Sequence, residues 1–143
     1  MKYNRPTERR TYQDFETGMH EATIQKVTAS KTRENKDMMV LRLAGSNDES
    51  GFYNLAFGND YTEENLSFIL TSIEDNGIEI PDIDFDYNQA TANFLTGKPV
   101  YILVEPKTYQ GETRQNITAF LTLAEFEGVE EDDETFENEG FGL

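Results

Sequence analysis

Residues 37–57 read DMMVLRLAGSNDESGFYNLAF, and this stretch carries a period of two on either side of a turn. Met39, Leu41 and Leu43 share one face of a strand from Asp37 to Ala44, with Met38, Val40 and Arg42 on the other. Gly45 to Gly51 is rich in Gly, Ser, Asn and Asp and reads as a turn. In a second strand, Phe52 to Phe57, the groups Tyr53, Leu55 and Phe57 lie on one side and Phe52, Asn54 and Ala56 on the other.

Upstream, Ala22 and Ile24 alternate with Glu21, Thr23 and Gln25, which predicts a half-buried strand from Gly18 to about Ala29, joined through the polar loop Ser30 to Lys36. Downstream the period changes. Thr62 can cap a helix with Glu63 and Glu64 in its first turn, followed by Leu66, Ile69, Leu70 and Ile73 at helical spacing, with Gly77 as its stop. Ile78 to Asp84 contains Pro81 and reads as a connector, and Asp86 to Leu95 as a second short helix ended by Gly97. Pro99 to Pro106 and Gln115 to Leu123 alternate as two further strands, linked by a hairpin-like connection, Lys107 to Arg114. Val100, Ile102 and Val104 set against Tyr101 and Leu103 put apolar groups on both faces, which suits a closed barrel. The order strand, strand, strand, helix, strand, strand is that of an OB-fold, a mostly β, five-stranded Greek-key barrel with a helix between its third and fourth strands.

Around this domain, residues 17–124, lie a flexible N-terminal arm, 1–16, and a tail, 125–143, which has nine acids and no base and reads as disordered. The tail's Phe136, Phe141 and Leu143 make an apolar tip on an acidic leash, the chemistry of a peptide ligand for a basic, apolar-floored pocket on a partner. The arm mixes Lys2, Arg5, Arg9 and Arg10 with Tyr3, Tyr12 and Phe15, a composition that can wrap a strand or dock on the barrel.

Over its 143 residues the chain has a formal charge of −16 and no Cys, and His20 is its single His. Disulfide frameworks, thiolate zinc sites and cysteine nucleophiles are excluded together, a Ser-His-Asp triad is disfavoured, and no cofactor is expected. No stretch reads as a signal peptide or spanning helix, so a cytoplasmic binding protein with no membrane partner, and not an enzyme, is expected. The charge itself is segregated: residues 1–42 net +3, 43–97 net −11 without a single base, 98–124 net +1, and 125–143 net −9.

OB barrels bind oligonucleotides on the face of strands two and three and on the loops joining strands one to two and four to five. Here those loops hold Lys31, Arg33, Lys36, Lys107 and Arg114, five of the 12 bases, and Arg42 adds a sixth on the outward face of strand two. Cations that follow phosphates need aromatic planes beside them for stacking. The candidates are Tyr109, Phe52, Tyr101 and Phe120. Tyr109, among polar residues beside Gly111, has no core duty, whereas Phe52, Tyr101 and Phe120 fit a place under a helix or in an oligomer contact better.

The runs Gly18-Met19-His20-Glu21-Ala22-Thr23-Ile24 and Lys36-Asp37-Met38-Met39-Val40-Leu41-Arg42-Leu43, with the acidic end, resemble a phage-encoded family of small single-stranded DNA-binding proteins found with recombination and replication genes. Where that family often has Gly at the entrance to strand two, this chain has Asn35 and Lys36. The resemblance spans most of residues 14–124. It implies sequence-independent binding of single-stranded DNA in the host cell cytoplasm, a homo-oligomer (dimer or tetramer), and a tail that recruits replication or recombination proteins.

Two rivals stand beside it. The base-free stretch 43–97, with Asp82, Asp84 and Asp86 alternating in PDIDFDY, could imitate the phosphates of nucleic acid and inhibit a DNA-binding protein. The same three acids, or Asp132 and Asp133, could be magnesium or calcium ligands, but Phe85, Tyr87 and Asn88 replace the glycine-bearing continuation of a calcium loop.

Overall fold

The computed structural model describes residue 3 and residues 13–128. It is mostly β: strands β1 (Gly18–Lys31), β2 (Asp37–Ala44), β3 (Ser50–Ala56), β4 (Pro99–Tyr109) and β5 (Glu112–Leu121), with helices α1 (Thr62–Glu74), α2 (Gln89–Leu95) and α3 (Leu123–Phe126). The strands form one antiparallel sheet in the order β3-β2-β1-β4-β5. β3 and β5 are its edges, yet the sheet curls until their side chains meet: the rings of Tyr53 and Phe120 lie edge to face at 4.9 Å.

The curl encloses the core. Ile24, Leu41, Leu43, Leu55, Val100, Ile102 and Val104 point inward, and α1 adds Ile69 and Ile73 while α2 adds Leu95, all fully buried. The inward set on β2 is the Met39, Leu41, Leu43 set of the sequence pattern. Inside α1, Ser72 is buried without cost because its hydroxyl accepts from Tyr101 N at 2.7 Å and donates to Tyr101 O at 3.3 Å, pinning the helix to β4.

Several boundaries differ from the sequence reading: β1 runs on to Lys31, which therefore ends a strand and does not lie in the loop, and β3 and β5 are shifted by a few residues. Thr62 is not the α1 cap: Tyr61 is, and the Thr62 hydroxyl instead donates to Ala56 O at 2.9 Å, tying the helix start to the end of β3. The second helix begins at Gln89, where Asn88 Oδ1 accepts from Thr91 N. Lys107 to Arg114 is not a loop. Both strands run on as a two-stranded projection with pairs Lys107↔Arg114, Thr108↔Thr113 and Tyr109↔Glu112, turned by Gln110 and Gly111 at φ 52° and 81°.

The arm and the tail are each shorter than expected. Phe15 is 3% exposed, with the neighbouring Gln13 hydrogen-bonded to the turn before β3 (Gln13 N to Asp48 O 3.1 Å, Ser50 N to Gln13 O 2.9 Å). At the other end Thr122 and Glu125 form a capping box, and Phe126 stacks on Tyr101 with ring centroids 4.5 Å apart, so 125–128 belongs to the packed body. The apolar tip, Phe136, Phe141 and Leu143, lies outside the described residues.

Candidate nucleic-acid interface

The outer face of β1, β2 and β3 is the surface on which most of the candidate residues fall. β1 carries a bulge between Ile24 and Lys26, so that Ile24 stands opposite Leu43 while Lys26, two residues on, stands opposite Arg42. One extra residue reverses the face of everything after it. Lys26, which strict alternation from Ala22 and Ile24 would send inward, therefore points out. Arg42 in turn stands opposite Phe52, and the three make a transverse row with neighbours about 5 Å apart.

Phe52 is 63% exposed. No helix among the described residues covers it, because α1 and α2 contribute their apolar residues to the core side of the sheet. Arg42 is steered by Ser50, to whose hydroxyl its Nε donates at 3.4 Å. Five residues further back along β2, or about 17 Å, the sheet reaches the Thr32 to Lys36 turn.

That turn is held by Thr32, whose N donates to Lys36 O at 2.9 Å and whose Oγ1 accepts from Lys36 N at 3.1 Å. Asn35 sits at φ 66°, a left-handed conformation that Asn tolerates and where a glycine would be unstrained. Lys31, Arg33 and Lys36 are all exposed there. Lys31 pairs with Asp37 at 2.6 Å, and this hydrogen bond, reinforced by the carboxylate charge, holds its pKa above the ordinary lysine value.

On the other side of the row, Phe52 lines an open concavity of about 370 Å³ shared by β3 and β5, with Arg114, Gln115 and Asn116 on its far wall and Phe15 and Gly51 in its floor. Arg114 and Asn116 also line a second concavity of about 390 Å³ with Lys107 and Tyr109 on the β4–β5 projection. The two hollows are therefore contiguous. Lys107 faces Arg114 across the ladder, and Tyr109, 64% exposed, faces Glu112. Arg114 is ion-paired to Glu112. Exposed pairs of this kind are weak, so both Lys31 and Arg114 can exchange a carboxylate for another anion at little cost.

Two candidate planes are withdrawn. Tyr101 is 8% exposed under Phe126, and Phe120 is buried edge-on to Tyr53, so neither can stack on a ligand. Burial of Tyr101, with the carboxylates of Glu21, Glu127 and Asp75 around it, raises its pKa above the usual tyrosine value. Lys26 is the residue that sequence reasoning missed.

Charge is distributed to match. None of the acids between 43 and 97 lines either hollow; Asp14 and Glu112 are the acids that do. Asp82, Asp84 and Asp86 are exposed while Phe85 and Tyr87 pack against the core, with Ile83 half-buried, so their alternation is that of an amphipathic connector. Asp86 Oδ1 accepts from Tyr87 N at 2.8 Å and is used within its own turn. Among the described residues no three His, Cys, Asp or Glu groups come together as a metal site, and no helix is long and apolar enough to cross a membrane. His20 Nε2 donates to Glu16 O at 2.7 Å and its ring packs on Phe15, a structural position. Comparison with protein-family models and with curated proteins finds no match to this chain.

Proposed function

We propose that this protein binds single-stranded DNA without reading its sequence, on an OB-type Greek-key barrel, and acts as a binding protein in replication or recombination and not as an enzyme. The sheet order β3-β2-β1-β4-β5, with its edges brought together and two helices between β3 and β4, supports the barrel.

The observation that carries the function is the continuity of one track. From the β1–β2 turn with Lys31, Arg33 and Lys36 it crosses Lys26, Arg42 and Phe52, then passes through the hollow shared by Phe52 and Arg114 to Lys107 and Tyr109. Cations follow the phosphates, and two exposed planes, Phe52 and Tyr109, offer every base a face. The resemblance to phage single-stranded DNA-binding proteins supports the same biological setting, with oligomerisation and recruitment of partner enzymes through residues 129–143.

The test is a fluorescence-anisotropy titration of labelled oligonucleotides of mixed and homopolymeric sequence at rising salt. Binding that falls steeply with salt and varies little with sequence is expected. Absence of binding at low salt would overturn the reading and leave the acidic-mimic alternative, in which the protein binds a DNA-binding protein and ignores the oligonucleotide.

A further inference from the structure

The β4–β5 projection has two bare strand edges, and the sequence treats them differently. Its two-residue turn, Gln110-Gly111, closes on the pair Tyr109↔Glu112, and in an antiparallel ribbon closed this way alternate pairs exchange their main-chain hydrogen bonds. Tyr109↔Glu112, Lys107↔Arg114 and Glu105↔Asn116 are therefore bonded to each other, while the main-chain groups of Thr108↔Thr113 and Pro106↔Gln115 point out of the ribbon. On the β4 side that outward row lies past the last β1 pair, Gly18↔Val104, and Pro106 stands in it with no N–H to give. Proline on a free edge guards against pairing with another chain. On the β5 side, at the border of the sheet, Thr113 and Gln115 present N–H and C=O alike, with no such guard.

The residues flanking Thr113 are complementary to themselves. Glu112 and Arg114 share one exposed face of β5 and are ion-paired to each other. When a second copy of β5 lies antiparallel with the twofold axis at Thr113, Thr113 meets Thr113, and Glu112 of each chain stands opposite Arg114 of the other. A shift of the axis by one residue sets Arg114 against Arg114, so charge selects the first register.

Resting on the single-strand reading above, we propose that two copies of this chain pair β5 to β5 about Thr113, and that the joined projections form one DNA-binding surface. The twofold axis is perpendicular to the four-stranded ribbon β4-β5-β5-β4, so both copies present the same face, the one with Lys107, Tyr109 and Arg114 that lines the second concavity. A row across the ribbon then reads Lys107, Arg114, the second copy's Glu112 and the second copy's Tyr109, over about 14 Å from the first strand to the last, and the axis repeats it in reverse. The second copy thereby supplies an aromatic plane beside the first copy's cations, and one strand of DNA passes from the track of one barrel to that of the other.

The experiment is a charge swap in the full chain. Glu112→Arg puts two bases on the edge and Arg114→Glu two acids, so each variant replaces two attractive cross-strand pairs by two repulsive ones. Sedimentation should show self-association weakened about 30-fold in each variant alone, and an equimolar mixture of the two should regain the mass of the parent. Because the chain has no Cys, Thr113→Cys gives a second readout: across the axis the Cα atoms stand about 5.5 Å apart, within disulfide reach, so a mild thiol oxidant should link two chains, whereas Thr108→Cys on the guarded edge should stay unlinked. Variants that keep the parent's mass, a mixture no heavier than its components, or equal linking of Thr113→Cys and Thr108→Cys would each overturn the pairing. An oligothymidylate long enough for two protomers should speed the Thr113→Cys link; an unchanged rate with bound oligothymidylate would refute the shared surface and leave the dimer. If the parent does not bind oligothymidylate at all, the function proposed above falls and the shared surface with it, while mass and linking still decide the pairing.

Discussion

Truncating Phe52 separates a stacking platform from a structural aromatic. The ring is 63% exposed, stands opposite Arg42, and belongs to the outer face of an edge strand whose core contacts are made by Tyr53 and Leu55. Phe52→Ala therefore removes little buried area, and the folded state should change by no more than about 0.5 kcal/mol. Stacking of one base on an aromatic plane is worth roughly 1–3 kcal/mol, which is about 5- to 150-fold in Kd. Because the chain has no Trp, Phe52→Trp supplies a single tryptophan at the site, which can be excited to the red of the tyrosines. Its emission should be quenched as oligothymidylate binds, with a midpoint equal to that from anisotropy. Phe52→Leu is the control for shape: it keeps apolar bulk but has no π-face, and should behave nearer to Ala than to Trp. Unchanged affinity of Phe52→Ala, or an unquenched Trp in a variant that still binds, would refute stacking at this position. A large loss of stability would place the ring in the fold instead.

Three other outcomes follow from the same geometry. Changing Lys31, Arg33, Lys107 and Arg114 together to Ala should weaken binding to all sequences alike and reduce the salt slope by about 3, read by anisotropy titration. Tyr101→Ala should do the reverse: losing a buried ring stacked on Phe126 costs about 2–4 kcal/mol in urea unfolding, while affinity measured well below the transition stays unchanged. Tyr53 and Tyr101 both have pKa values raised by burial. The unfolded chain then loses these protons first as pH rises, so stability is full below about pH 10 and falls above it; in Tyr53→Phe and Tyr101→Phe the alkaline fall should be shallower.

What could be read from the sequence depends on whether burial had written itself into the pattern. β2 has an unbroken period of two, and Met39, Leu41 and Leu43 are its buried set. The β4–β5 projection stands clear of the core with Lys107 to Asn116 all exposed, so no apolar alternation marks it as strand, and its polar residues around Gly111 look like a loop. The bulge at Gln25 leaves no compositional trace either, yet it decides that Lys26 and Arg42 share a face. In the sequence, Phe52 and Tyr101 are indistinguishable as aromatics on the outward face of a strand. The difference between them is α3, whose Phe126 covers Tyr101, and α3 lies at the start of a stretch so acidic that its packing could not be anticipated. In the same way, Phe15 looks like one aromatic among several in a basic arm until Gly45 and Gly51 are seen to leave the space it fills.

The charge of −16 would repel a polyanion if it were spread evenly. Residues 43–97 place most of their acids on α1 and the connector that follows it, none of them lining either hollow, and residues 125–143 hold nine more. At physiological salt an exposed charge is screened beyond about 8 Å, which is less than half of the 17 Å or so from Arg42 to the β1–β2 turn. A phosphate on the track therefore responds chiefly to the charges within that range of it. At low salt the screening length grows to about 30 Å at 10 mM, and the acidic regions begin to oppose binding. Ordinary counterion release makes affinity rise without limit as salt is lowered; here log Kd against log salt should bend over toward the lowest concentrations, and a variant lacking residues 129–143 should bend less. A straight line for both chains would mean that the acids lie too far from the strand to matter at any salt.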